Sequence, residues 1–123
     1  MMDDHAHEPL ETLYDGPWLR MVRRGRWEYV ERTHGDGMAV IVIAVTPEDK
    51  VLFVEQYRIP LGAATIEMPA GLVGDDHATD TLEAAARREL IEETGWSANR
   101  VEVLLVGPTS AGMSNERIAF VRA

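Results

Sequence analysis

The chain of 123 residues is predicted to fold as a single α/β domain, a sandwich built around a mixed β-sheet. Three observations predict this. Apolar strand-like runs fill the first half, one capped helix signal follows at about residues 81–94, and two more strand-like runs come after it. An apolar content of 46% is enough to furnish one core. There is no internal repeat and no low-complexity stretch.

Residues 1–11 are polar and acidic. His5 and His7 punctuate them, but the composition reads as a mobile tail rather than a metal site. Trp18 to Arg24 and Trp27 to Thr33, separated by Gly25, read as a hairpin or small sheet. Gly35-Asp36-Gly37 then turns the chain into Met38 to Thr46, an almost continuous apolar run expected to be a strand buried on both faces. Pro47-Glu48-Asp49 turns it again into a strand over Lys50 to Tyr57. A short strand near Ile66 passes into a loop, where Gly71 and Gly74 let bare backbone approach a ligand.

Asp80-Thr81-Leu82-Glu83 reads as a capping box, with Asp80 accepting from the N–H near Glu83, so a helix is expected from about Thr81. Gly95 suits the left-handed position that closes helices, which stops this one at Thr94. Leu82, Ala86, Leu90 and Ile91 supply its buried stripe, and Arg87 points to water. Val101 to Val106 and Arg117 to Arg122 are the last strands.

The chemistry is concentrated on that helix. At 100° per residue, Glu89, Glu92 and Glu93 fall within an arc of about 100°. Like charges so placed repel by a few tenths of a kcal/mol per pair, about 0.2–0.5 in exposed helices. A solvated acidic face is the ordinary reading of any two glutamates. The surroundings favour another one, since hard divalent cations reward such a cluster. Ala85 and Ala86, one turn earlier on the same side, leave room for a ligand, and Arg88 stands four residues before Glu92, where it can hold that carboxylate.

Arg88-Glu89-Leu90-Ile91-Glu92-Glu93-Thr94-Gly95-Trp96 resembles the second half of the Nudix box at every defined position. The first half departs from it. Asp80 stands where the pattern has glutamate, and eight residues rather than five separate it from Gly71. Gly74 would restore the spacing of five, but Glu67-Met68-Pro69-Ala70-Gly71-Leu72-Val73 is similar to the lead-in of ADP-ribose pyrophosphatases, which favours Gly71 followed by a three-residue insertion. The resemblance to that subfamily runs over about residues 14–122. It includes Gly25 to Thr33, Val54 to Arg58 and Gly112-Met113-Ser114-Asn115-Glu116.

This resemblance implies a Nudix-type α/β/α sandwich, with a tail at 1–11, amino-terminal strands at 12–36 and a catalytic core at 37–123 that contains the box at about 71–96. It also implies hydrolysis of a nucleoside diphosphate linked to another group, with ADP-ribose the leading substrate. The Ala70 carbonyl, Glu89 and Glu93 would hold Mg²⁺ or Mn²⁺ with Glu92 as a shared ligand, and Arg88 would orient the carboxylates. The family's second helix and further strands are expected to be missing after Ala123, and with them the loop glutamate that often orients water. The base is then unassigned between residues such as Glu92 and Glu116, the latter equally a plain surface residue.

In related enzymes the residues matching Trp18 and Trp27 stack on the two faces of adenine, although a lone tryptophan is more often core. Glu28 can accept from an adenine amino group, and Arg32 and Arg58 can contact phosphate or ribose oxygens, unless Glu67 pairs with Arg58 and makes both structural. A homodimer through the amino-terminal strands is expected, because so small a hairpin has little core of its own. A net charge of −9 without a basic stripe argues against binding a nucleic acid polymer. The absence of cysteine excludes disulfides and thiol chemistry. No signal peptide or membrane span is apparent, so the cytoplasm is the default. The alternatives are another nucleoside diphosphate sugar or dinucleotide as substrate, or a non-catalytic Nudix-fold module that binds nucleotide without cleaving it.

Overall fold

The computed structural model describes residues 4–74 and 80–123. A short 3-10 turn, Asp4–His7, leads into an antiparallel sheet of β1 (Leu10–Asp15), β2 (Leu19–Arg24) and β3 (Trp27–Arg32), in that order. Trp27 pairs with Arg24 across the hairpin turn and Arg32 with Leu19 at its far end. Gly25, at φ 58°, supplies the positive dihedral that this turn needs. β1 was not expected, and it begins inside the stretch read as a tail. All six of its residues are exposed, so no alternation of apolar and polar positions betrays it.

β4 (Met38–Ile43), β7 (Ala70–Leu72), α1 (Leu82–Thr94), β8 (Glu102–Pro108) and β9 (Arg117–Arg122) form the second layer pair. β5 (Val54–Arg58) and β6 (Ala63–Glu67) make a separate hairpin before β7. The larger sheet runs β7-β4-β9-β8, with β4 parallel to β9 and antiparallel to β7. The expected mixed sheet is therefore present, and α1 packs on it. Val40, Val42, Ala119 and Val121 are fully buried against Ala85, Ala86 and Leu90. Burying each such valine contributes about 1.5–3 kcal/mol.

Several boundaries differ from expectation. Within β4 only Val40 and Val42 are buried while Ala39, Ile41 and Ile43 are half-buried, because the one helix among the described residues covers a single face. The strand expected over Lys50 to Tyr57 is limited to Val54–Arg58. Its first residues form a tight turn, with Thr46 N–H donating to the Lys50 carbonyl and Val45 bridging Val51. Ala70–Leu72, read as loop, is an edge strand. No helix among the described residues is long and apolar enough to cross a membrane.

The helix keeps its expected limits but not its expected cap. Thr81 is the N-cap and accepts from Ala84 N–H at 3.0 Å, while Asp80 is engaged elsewhere. With alanine at the third helical position, no reciprocal capping box can form. Gly95 closes the helix at φ 78°, its N–H donating to the Ile91 carbonyl. Ile91 is 52% exposed and does not join the buried stripe. Ala85 and Ala86 do, so they leave no open space for a ligand and instead let α1 lie close to the sheet. Arg87 is exposed as expected, but its guanidinium donates to the Ala98 carbonyl. In urea denaturation, Thr81→Ala is expected to cost about 1 kcal/mol and Glu83→Gln under about 0.5 kcal/mol; the reverse order would restore the capping box.

Candidate active site

The sheet-facing stripe of α1 runs from Ala85 and Ala86 into Glu89 and Glu93, which brings two of the three box glutamates to the edge strand β7. Glu89 lies flat on Gly71. A Cβ added there would fall 2.0 Å from the Glu89 carboxyl carbon, so this glycine is what admits the side chain. Glu93 accepts from Ala70 N–H at 3.0 Å. On the other side of β7, Val42 donates to the Pro69 carbonyl and Val73 to the Met38 carbonyl. The antiparallel alternation thus turns both the N–H and the carbonyl of Ala70 away from β4, towards the free edge. Glu92 is exposed.

Among the described residues no three His, Asp or Glu side chains converge at metal-ligand spacing. The donor set nevertheless fits a hard divalent cation. Carboxylates from successive turns of α1 meet one strand edge at Ala70 and Gly71, beside an outward carbonyl, and all the donors are oxygen.

Arg88 was expected to hold Glu92. It donates instead to Asp80 at 2.6 Å and to the Leu72 carbonyl at 3.3 Å, with Glu89 at 3.7 Å. Asp80, whose side chain is 5% exposed, offers a closer partner than the exposed Glu92. Burial works against the Arg88 charge, but Asp80, then Glu89 and Glu92, outweigh it and hold the guanidinium above its ordinary pKa. Arg88 therefore ties together the two flanks of the loop between β7 and α1. An insertion after Gly71 falls within residues 72–79, of which 75–79 lie outside the described residues; Gly71 is in contact with Glu89.

Arg58 and Glu67 pair through two bonds of 2.7 Å, and the Thr65 hydroxyl also donates to Glu67. The Arg58 guanidinium, then Thr65, holds the Glu67 carboxyl down to about 2. This is the structural pairing that was the alternative to substrate contact. The pair borders the acidic face, since Glu93 adds to the field on Arg58. Arg32 is likewise engaged, by Glu116, which links β3 to the segment before β9. Glu28 lies on the opposite side of β3 from Trp27 by strand alternation and faces Arg23 at 4.0 Å, so one base cannot meet both.

Trp18 and Trp27, expected to clasp one ring, sit at opposite ends of the hairpin, about 20 Å apart at roughly 3.4 Å per residue. Trp18 is 68% exposed and meets His34 edge-on, with centroids 5.9 Å apart. Trp27 carries Arg26 over its ring at 5.4 Å. Sequence reasoning missed three contributors: Asp80 as the partner of Arg88, Tyr29 beside Trp27, and the docking of residues 113–115 along β3. There Val30 N–H donates to the Met113 carbonyl and Asn115 N–H to the Val30 carbonyl. The Gly112 to Glu116 motif signalled the last of these without revealing its partner.

The NUDIX domain model matches residues 35–119. The chain is 40% identical over 78 residues to the ADP-ribose pyrophosphatase of Bacillus subtilis, covering 63% of this chain and 40% of that protein. It is 31% identical over 121 residues to the ADP-sugar pyrophosphatase of Mus musculus, covering 85% and 54%. It is 44% identical over 82 residues to the methanol dehydrogenase activator of Bacillus methanolicus, covering 65% and 42%. The chain thus spans about half, or less, of the length of these relatives. The crystal structure of an ADP compounds hydrolase superimposes with a TM-score of 0.75 over 94% of this chain and 64% of the other; at 19% identity this is a likeness of fold.

Because Glu67 is held below its ordinary value of 4.5, the stability it lends is complete above that value and is lost as pH falls towards about 2. Chemical denaturation between pH 5 and 2 should show Glu67→Gln less stable at the upper end and flatter in its acid dependence; parallel curves for the two proteins would contradict the pairing.

Proposed function

The chain belongs to the NUDIX family, and from that premise we propose that it hydrolyses the pyrophosphate bond of a nucleoside diphosphate linked to another moiety, with ADP-ribose giving AMP and ribose 5-phosphate. The observation that carries this reading is the seating of Glu89 on Gly71 and of Glu93 on the Ala70 N–H, which brings two box carboxylates to one bare strand edge. The relatives named as ADP-ribose and ADP-sugar pyrophosphatases support the substrate class.

In this reading Glu89, Glu92, Glu93 and the Ala70 carbonyl hold Mg²⁺, or Mn²⁺ in its place. Bound there, the cation neutralises pyrophosphate oxygens and lowers the pKa of water. Arg88 acts on the carboxylates by anchoring both flanks of the loop and standing 3.7 Å from Glu89. Among the described residues Glu92, exposed on the acidic face, is one candidate to accept the proton of the attacking water, and Glu116, set free when Arg32 turns to phosphate, is another. Arg58 and Arg32 reach phosphate oxygens by exchanging a carboxylate for them, and Trp27 contacts the base. Trp18 reaches the same base only from a second copy, which supports a homodimer through the amino-terminal sheet, where Leu13, Leu19 and Met21 are exposed.

AMP release from ADP-ribose, measured with Mg²⁺ and with a chelator on protein of verified mass, is expected to be metal-dependent. Glu93→Gln and Gly71→Ala should each remove most turnover, at least about tenfold, without unfolding the protein. Undiminished turnover in both would refute the site, and tight binding of ADP-ribose without cleavage would identify a non-catalytic module. Sedimentation should give twice the 13.7 kDa of one chain; a monomer at micromolar concentration would remove the dimer from the proposal.

A further inference from the structure

β5 and β6 form a two-stranded sheet of their own, and the connection between them is exposed, with Ile59 at its tip 83% accessible. On one face of this hairpin Val54 stands opposite Glu67, Gln56 opposite Thr65 and Arg58 opposite Ala63. Arg58 and Glu67 are thus four residues apart along the hairpin, counted from 54 to 58, which is about 14 Å at roughly 3.4 Å per residue. They meet all the same, Arg58 Nε donating to Glu67 Oε2 and Nη2 to Oε1 at 2.7 Å each, so both side chains lean over the pair Gln56 and Thr65 that lies between them. The lean carries the guanidinium from the tip of the hairpin back into the field of Glu93, which is itself held on Ala70.

Thr65 lies beneath this bridge. Its hydroxyl donates to Glu67 Oε2, the same oxygen that accepts from Arg58 Nε, and has the Gln56 carbonyl as a second acceptor at 3.3 Å. A hydroxyl has one proton to give, and the carboxylate, as the charged acceptor, makes the stronger bond. An anion that draws Arg58 away removes both guanidinium bonds from Glu67 at once. The Glu67 side chain is only 28% exposed, so a carboxylate stripped of its donors there is unfavourable. Thr65 keeps one donor on Oε2 whether Arg58 is present or gone.

We propose that Thr65 is a positioning residue for phosphate capture: its hydroxyl retains the Glu67 carboxylate when Arg58 turns to the substrate, and so eases the exchange of carboxylate for phosphate on that guanidinium. The inference rests on the reading of Arg58 as a phosphate contact.

Two measurements test it on the unaltered protein and on Thr65→Val, Thr65→Ser and Arg58→Ala: the kinetics of ADP-ribose hydrolysis with Mg²⁺, and an NMR titration of the Glu67 carboxyl without it. Valine keeps the branched shape that suits a strand and lacks the hydroxyl. Thr65→Val is expected to raise KM about fivefold with kcat within about twofold, and to move the Glu67 midpoint upward, since a bond to the charged form is lost. Thr65→Ser should restore both. If Arg58→Ala raises KM while Thr65→Val leaves it unchanged or lowers it, the role of Thr65 is overturned and Arg58 stands as the phosphate contact. An equal loss of kcat in Thr65→Val and Thr65→Ser marks a packing residue and overturns it as well. If Arg58→Ala itself leaves KM unchanged, the underlying reading of Arg58 fails and takes this inference with it, whereas failure of the proposed activity would show as no AMP release by the unaltered protein.

Discussion

Glu89 occupies the space that any side chain at residue 71 would fill, and the contact exists because Ala85 and Ala86 let α1 approach the sheet closely. The rest of the site follows from that approach. One turn further on, Glu93 reaches the next backbone group along β7, and Arg88, immediately before Glu89 in sequence, faces both flanks of the loop that joins strand to helix. A bulkier residue at 85 or 86 would lift the helix and separate the carboxylates from the strand edge before it disturbed any of them chemically.

A second constraint is charge. The chain carries 12 basic and 21 acidic residues, and among the described residues at least seven arginines are committed. Arg20, Arg23, Arg32, Arg58 and Arg88 engage carboxylates, while Arg24 and Arg87 engage carbonyls. The exposed pairs contribute little to stability, about 0–1 kcal/mol each. They do set the state from which any anion would have to recruit its cations. Arg58 is held bidentate by Glu67 beside Glu93, so any anion that approached it would compete with Glu67 for a guanidinium that is already oriented.

How legible the fold was depended on how local the determining contact is. The limits of α1 were readable, because a helix period, a small polar residue before it and Gly95 after it are all local signals. β9 was readable as a short apolar run, Ile118 to Val121, between two arginines. β1 was not, since every residue of it faces solvent, and Ala70–Leu72 between a proline and a glycine-rich stretch looks like loop until β4 lies beside it. The acidic face itself was visible at helical spacing. Its orientation was not, because the same arc that holds Glu89 also holds Ala85, and only packing decides whether that side meets solvent or sheet. Asp80 shows the same limit: before a helix it reads as a cap, and only the fold brings Arg88, eight residues on, within 2.6 Å.

The parallel pairing of β4 with β9 joins residues roughly eighty apart in sequence, as Met38 lies against Arg117. The hairpin β2–β3 and the helix α1 close short loops and can form early, but β4 gains its second neighbour only after the intervening chain has been drawn together. β4 is also the strand on which β7 rests. The contacts of the acidic edge are themselves local, with Ala70 and Gly71 meeting Glu93 and Glu89 about twenty residues on, but the sheet that supports them is complete only when this distant closure is made, so the rigidity of the site belongs to the whole domain and not to the strand and helix that carry it.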